Sequence, residues 1–246
     1  MNNVKKSIGW ADFTLNPVKG LCPNSDCPLF PDRCYARRMY KRFKWEPGLR
    51  FYPIKDDDLP KKPSRIFVGS TMELFGEWVD AFWMDSIFKS VKDNPQHTFI
   101  FLTKRPLDFL RFNPFPPNSW IGSSVCNPSM LRKALIELSP IQASVKFLSF
   151  EPLLKKIEFH APYNLDFSEI QWVICGQLTP VSKKTQPKLE WIKEIVDAAD
   201  KSSIPVFIKN NMRSLFETPA GILRGKWWVI KDNELVLRQE FPNDHT

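Results

Sequence analysis

Seven short runs rich in Val, Ile and Phe recur along the chain, separated by longer stretches with helical spacing. The runs are IGWADFTL (8–15), RIFVGST (65–71), HTFIFLTKR (97–105), WIGSSV (120–125), VKFLSFEP (145–152), IQWVICG (170–176) and IPVFIKN (204–210). They are apolar on both faces rather than alternating, the pattern of strands in a parallel sheet covered on both sides. Parallel neighbours need a crossover of a dozen residues or more, usually a helix. Helix candidates lie in CYARRMYKRFK (34–44), EWVDAFWMDSIFKSVKD (77–93), NPSMLRKALIEL (127–138) and KLEWIKEIVDAADKSS (188–203). In the second, Trp78, Phe82 and Phe88 fall near helical spacing. Asn127-Pro128 is an N-terminal cap signal for the third. The expected fold class is α/β, a partial (open) parallel β/α barrel. The tail KWWVIKDNELVLRQEF (226–241) breaks the rhythm and reads as a β-hairpin turning at Lys231-Asp232-Asn233. Residues 1–225 are thus expected to form the barrel, with 226–246 a hairpin appended to the same domain.

A β/α barrel concentrates function at the C-terminal ends of its strands. Those ends are polar throughout: Ser70, Thr71 and Glu73; Thr103, Lys104 and Arg105; Ser123, Ser124 and Asn127; Ser149 and Glu151; Gln177; Lys209 and Asn210. Any one of them is unremarkable in a loop, and their expected convergence on one rim is the stronger signal. The rim begins with a loop carrying Cys22, Cys27 and Cys34.

Five cysteines are an odd and small number for a secreted scaffold, and MNNVKKSIGWADF lacks the apolar core of a signal peptide. No apolar run approaches the roughly 18 residues of a membrane span. The expectation is a cytoplasmic protein with reduced thiols and no membrane association; its oligomeric state is not legible. The formal charge is +8 and unevenly spread. Arg33, Arg37, Arg38, Lys41, Arg42, Lys44 and Arg50 face one acid, Glu46. Such a stretch suits a nucleic acid or another polyanion. It equally describes a solvated helix face, or a docking surface for an acidic electron donor.

The spacing C-x4-C-x6-C leaves several chemistries open. A disulfide does not suit a reducing compartment. Structural zinc prefers four paired ligands, so a fourth would come from His97, His160 or a distant cysteine. Three thiolates also suit a [4Fe–4S] cluster with one iron left open, whereas most clusters use four cysteines.

The blocks WADFTLNPVKG…C…CYA, RIFVGSTMELF, FLTKRP, WIGSSV, KFLSFEPLL, WVICG and PVFIKN resemble, in order, those of a phage- and bacteria-borne family of radical S-adenosylmethionine (SAM)-like proteins. That family is itself similar to spore photoproduct lyase, in which an aromatic residue also follows the third cysteine. The resemblance spans residues 8–211 and implies a barrel of the radical SAM type. It implies that Cys22, Cys27 and Cys34 ligate a [4Fe–4S] cluster and that SAM binds the open iron. Electron transfer would then cleave SAM to methionine and a 5′-deoxyadenosyl radical. By the same resemblance Ser70, Thr71 and Glu73 accept from the SAM amino group, and Ser124 and Glu151 contact its ribose or carboxylate. Lys104, Arg105 and Lys209 neutralise the SAM carboxylate or a substrate phosphate, with Lys104, Arg105 and Glu151 nearest the chemistry. Tyr35 packs near the cluster or adenine. The gaps of four and six differ from the common C-x3-C-x2-C, with PLFPDR standing where two residues are usual. The substrate implied is a nucleic acid or nucleotide, and the electron donor a flavodoxin or ferredoxin. The competing expectation is a non-catalytic barrel protein that binds zinc or nucleic acid.

Overall fold

The computed structural model describes residues 1–161, 164–218 and 221–242; the last four residues of the expected hairpin segment lie outside them. In chain order the elements are β1 (Asn2–Asn3), β2 (Phe13–Leu15), β3 (Val18–Lys19), α1 (Tyr35–Phe43), β4 (Arg50–Phe51), β5 (Arg65–Val68), α2 (Ala81–Asp93), β6 (Thr98–Thr103) and β7 (Ser119–Ser124). There follow α3 (Pro128–Leu138), β8 (Val145–Phe150), β9 (Trp172–Cys175), α4 (Leu189–Lys201), β10 (Val206–Ile208), α5 (Arg213–Phe216), β11 (Glu217–Thr218), β12 (Gly221–Ile222), β13 (Trp228–Lys231) and β14 (Glu234–Leu237). This is a mixed α/β fold on a mostly parallel sheet of eight strands, in the order β1-β2-β5-β6-β7-β8-β9-β10. Two units divide the chain: Met1–Gly122 with Ile141–Ser144, and Ser123–Pro140 with Val145–Thr246. Among the described residues no helix is long and apolar enough to cross a membrane.

In the first unit β2 pairs in parallel with β5 (Phe13↔Ile66) and β5 with β6 (Ile66↔Phe99), while β1 runs antiparallel to β2. Residues 66–68 and 99–101 are buried, as the two-sided apolar runs require. The helix expected from residue 77 starts instead at Ala81, where the Asp80 carboxylate accepts the Phe82 N–H at 2.8 Å. Residues 77–79 are held in a turn, with Val79 N donating to Gly76 O and the Trp78 indole N–H to Glu73 O at 3.0 Å each. The buried stripe of α2 is therefore Met84, Ile87, Phe88 and Val91, and Phe82 points outward at 72% exposure.

The crossovers after β6 and β8 carry short 3-10 helices, Pro106–Phe112 and Asp166–Ser168, in place of α-helices. Prolines at 114, 116 and 117 stop the first of these from extending, since each bars helical backbone at the residue before it. The tight turn carries Phe109, Phe112 and Phe115 onto Phe75, with ring centroids at 4.5, 5.7 and 6.2 Å, and Phe101 meets the same ring at 6.0 Å. Phe75 stands two residues beyond Glu73, so this cluster anchors the loop that follows β5.

In the second unit β8 pairs in parallel with β9 and β9 with β10. All six residues of β8 are buried. Trp172 lies between Phe147 (5.4 Å) and Phe207 (6.2 Å), and α4 buries Ile192, Ile195, Val196 and Ala199. The expected hairpin is β13–β14, paired Trp228↔Leu237 to Lys231↔Glu234. Its two-residue turn, Asp232-Asn233, has φ of 52° and 63°, the left-handed pair of a type I′ turn. The chain then runs antiparallel along β10 at Phe207↔Gln239 and covers that sheet edge. Arg238 holds it to Asp200 (2.7 Å) and Glu240 (2.9 Å).

Two outcomes follow from this packing. Phe75→Ala removes the ring shared by four neighbours and lowers the urea-unfolding free energy by about 3–5 kcal/mol. His97 is 2% exposed, and burial pushes its imidazole below the ordinary value of 6.5. A depressed histidine contributes stability fully above about pH 6.5 and loses it as the pH falls towards the folded value. The melting temperature therefore drops between pH 7.5 and 5.5, and His97→Phe makes the drop shallower.

Candidate functional site

The first unit gathers a polar group where β2 and β5 end. Gly69 N donates to Leu15 O at 2.8 Å, which extends the parallel ladder by one step. The chain then turns at Gly69, whose φ of +79° suits glycine and whose Cβ would lie 2.5 Å from Leu74 Cδ1. The turn sets Ser70 and Thr71 against Asn16. Asn16 Nδ2 donates to Ser70 Oγ (3.1 Å), and the Thr71 N–H and hydroxyl both donate to Asn16 Oδ1 (3.2 Å each). Tyr35, the first residue of α1, donates its hydroxyl to Ser70 O.

Glu73 is the buried member of this group. Its Oε1 accepts from the Thr103 hydroxyl at 2.6 Å and the Phe75 N–H at 3.4 Å, and its Oε2 accepts from the Lys104 N–H at 2.9 Å. Burial pushes its carboxyl above the ordinary 4.5, against the pull of these donors and of the Lys104 charge. A carboxyl in this state holds a proton to higher pH, and on ionising it seeks a cation.

The cysteine loop meets β5 at this point. Burial above all pushes the Cys22 thiol above 9.0; the neighbouring backbone N–H groups of Asn24 and Glu73 pull it down, and the Glu73 and Cys27 charges add to the rise. Arg37 donates to Cys22 O at 2.7 Å, and Cys34 stands at the N-cap position of α1 without a side-chain cap bond. Arg105 ties the loop from the other side. Its guanidinium pairs with Asp108 (2.6 Å), Glu77 (2.8 Å) and Asp26 (3.8 Å), the last of these within the loop. Arg105 therefore spends its donors on carboxylates of the protein.

Cys22, Cys27 and Cys34 are half-buried free thiols. As donors they fit a thiophilic metal, and the Asn24 side-chain oxygen is buried in the same loop without a hydrogen-bond partner. Their arrangement does not yet make a cradle. Among the described residues no three His, Cys, Asp or Glu side chains stand together as a metal-binding group. Cys126 and Cys175 are buried elsewhere, and burial pushes Cys175 up to about 12.

The second unit has its own polar group at the ends of β8 and β10. Lys209 Nζ donates to Glu151 Oε1 at 2.5 Å, with side-chain exposures of only 11% and 21%. A Cβ on Gly176 would lie 2.8 Å from Glu151 Cδ, so glycine is what lets the carboxylate stand there. Gln177 and Asn211 exchange amide bonds, with Asn211 Nδ2 donating to Gln177 O at 2.8 Å and Gln177 Nε2 to Asn211 O. Ser124 is buried at the end of β7.

Of the rim residues expected from sequence, Cys22, Tyr35, Ser70, Thr71, Glu73, Lys104 and Arg105 come together in the first unit, and Glu151 and Lys209 pair in the second. Asn16, the hub for Ser70 and Thr71, was not among them. Its signal was its place directly after the first strand, the same rule that singled out the others.

The fold and the site define an α/β protein that presents free thiols and a buried carboxylate at the ends of parallel strands. The chain belongs to the DUF5131 family, described as a protein of unknown function, with residues 5–215 matched. Comparison with curated proteins and with solved structures returns no match.

The Glu151–Lys209 pair yields a direct test. Removing one partner of a buried pair strands the other charge, so Glu151→Ala lowers stability by about 3 kcal/mol in urea unfolding. Glu151→Leu combined with Lys209→Met recovers most of that loss, because no buried charge is left alone.

Proposed function

We propose that the chain is a radical SAM iron–sulfur enzyme acting on a nucleic acid or nucleotide. Cys22, Cys27 and Cys34 hold a [4Fe–4S] cluster, and the sheet belongs to an open barrel of that type. One observation carries the reading: three free thiols share a loop whose last member, Cys34, is followed directly by Tyr35, and the Tyr35 hydroxyl donates to Ser70 O at the strand end that also bears Thr71 and Glu73. When bound, such a cluster supplies the electron that cleaves SAM to methionine and a 5′-deoxyadenosyl radical. The protein's own contribution is polar and positional. Asn16 fixes the Ser70 and Thr71 hydroxyls as acceptors. Glu73, once ionised, complements an ammonium group. The reading requires the loop to close so that its three thiols converge, a change driven by metal binding and accompanied by loss of the thiol protons. It places the protein in the cytoplasm, where such thiols stay reduced, with an acidic flavodoxin or ferredoxin as reductant.

The test is anaerobic iron–sulfur reconstitution of the full chain, followed by metal and sulfide analysis and then dithionite with SAM. About four irons and four sulfides per chain, with 5′-deoxyadenosine released, support the proposal. Joint replacement of Cys22, Cys27 and Cys34 by Ala abolishes both signals without unfolding the protein. Bound zinc without iron, or a cluster that never cleaves SAM, overturns it.

A further inference from the structure

We infer that the C-terminal end of α1 and the adjoining antiparallel β3–β4 pair form a binding surface for single-stranded nucleic acid. The inference gives the proposed function its substrate class, but the binding stands on surface chemistry alone and needs no cofactor.

Three exposed aromatic side chains lie on this surface: Phe43, Trp45 and Tyr52, at 51%, 44% and 46% exposure. They are held in place rather than loose. Lys44 adopts a left-handed conformation (φ 51°), and the Trp45 N–H returns to Tyr40 O at 3.1 Å. Trp45 thereby stacks on Phe43, with centroids 5.4 Å apart and planes 22° apart, and sits edge-on to Tyr40 at 5.3 Å. The Tyr40 hydroxyl accepts the Gly20 N–H at 2.6 Å, and Leu21 N donates to Pro47 O at 2.9 Å, which joins the helix end to the β3–β4 pair. Tyr52 N donates to Pro17 O at 2.8 Å, and Lys19 Nζ lies 4.5 Å from the Tyr52 ring centroid.

Cations surround these rings. Lys41, Arg42 and Lys44 are exposed, and among the described residues no carboxylate forms an ion pair with any of them. Arg42 lies 5.3 Å from the Phe43 ring centroid. Lys19 and Arg50 are direct cross-strand partners on β3–β4, two like-charged residues opposite one another, with the Arg50 guanidinium donating to Glu46 O at 3.2 Å. Such a pairing is unfavourable in isolation and becomes favourable when a polyanion lies across it. The local acid, Glu46, is turned back to accept its own loop's Gly48 N–H at 3.2 Å.

Exposed aromatic faces interleaved with unpaired cations are what a single strand needs, bases to stack and phosphates to neutralise. An acidic redox protein would use the cations but brings no row of planar bases to stack on the rings. A duplex keeps its bases stacked on one another and offers the rings nothing.

The test is fluorescence anisotropy of the full-length, metal-free protein with a labelled oligothymidylate of about 15 nucleotides, titrated across salt concentrations. The wild type binds with an affinity that falls steeply with salt. Lys41→Ala/Arg42→Ala/Lys44→Ala weakens binding more than tenfold and makes the log–log salt slope shallower by about 2, from three lost phosphate contacts. Trp45→Ala weakens binding by about 5- to 150-fold with the salt slope unchanged, the signature of lost stacking. Thermal melting verifies that each variant is folded. The inference is overturned if the wild type does not bind the oligonucleotide at low salt, if the triple variant binds as well as wild type, or if duplex DNA binds as tightly with Trp45→Ala without effect. Capture of an acidic flavodoxin in its place, lost in the triple variant, also overturns it. Failed iron–sulfur reconstitution with oligonucleotide binding intact leaves this inference standing and removes only the enzymatic reading.

Discussion

The buried carboxylate of Glu73 organises the first unit's site. It joins the loop after β5 to the end of β6 through the Thr103 hydroxyl and the Lys104 N–H. Its carbonyl accepts the Trp78 indole N–H at 3.0 Å. Two residues on, Phe75 locks the same loop into a cluster of rings. An acid taken out of water is costly unless its oxygens are satisfied, and here three donors do so. The cost that remains is seen in the raised carboxyl, which is the kind of poised group that functional sites collect.

Polar bonds attach the cysteine loop to this framework. Arg37 reaches Cys22 O, and Arg105 reaches Asp26 across 3.8 Å. Arg105 is itself bound to Glu77 and Asp108, so it acts as a clamp between the loop and the β6 crossover. A loop held this way has fewer buried contacts to lose on rearranging than one stapled into a core. That suits a segment whose thiols are free and half-buried and whose proposed role is to converge on a metal. The exposed basic and aromatic residues follow directly after the third cysteine, so a strand bound there would lie along the element that the loop caps.

Much of the architecture was legible from periodicity. Two-sided apolar runs located the main parallel strands, and Asn127-Pro128 marked the start of α3, where the Asn127 side chain accepts the Met130 N–H at 3.1 Å. The hairpin turn was legible because Asp and Asn tolerate the left-handed backbone that a two-residue turn imposes. The start of α2 was misplaced because Trp78 fits helical spacing, yet its indole is committed to Glu73 O in a preceding turn. The crossovers after β6 and β8 were expected to be helical in the same rhythm. Local proline placement and the pull of the Phe75 cluster shortened the first of them. Asn16 is not legible as a site residue, because an asparagine beyond a strand reads as turn punctuation until its partners Ser70 and Thr71 are known.

The sequence by itself determined the alternation of strand and crossover, the free-thiol loop, the uneven charge and the polar residues after each strand, because these depend on composition and short-range spacing. Only the tertiary structure decided which of those polar residues meet. It assigned Arg105 to carboxylates of the protein, paired Lys209 with Glu151, and turned Asn16 into the anchor of Ser70 and Thr71. Partners such as Asn16 and Thr71 stand 55 positions apart, and Glu151 and Lys209 stand 58 apart. Hydrogen bonds and ion pairs act over a few ångströms, and the distance that governs them is set by strand register and loop path rather than by separation along the chain.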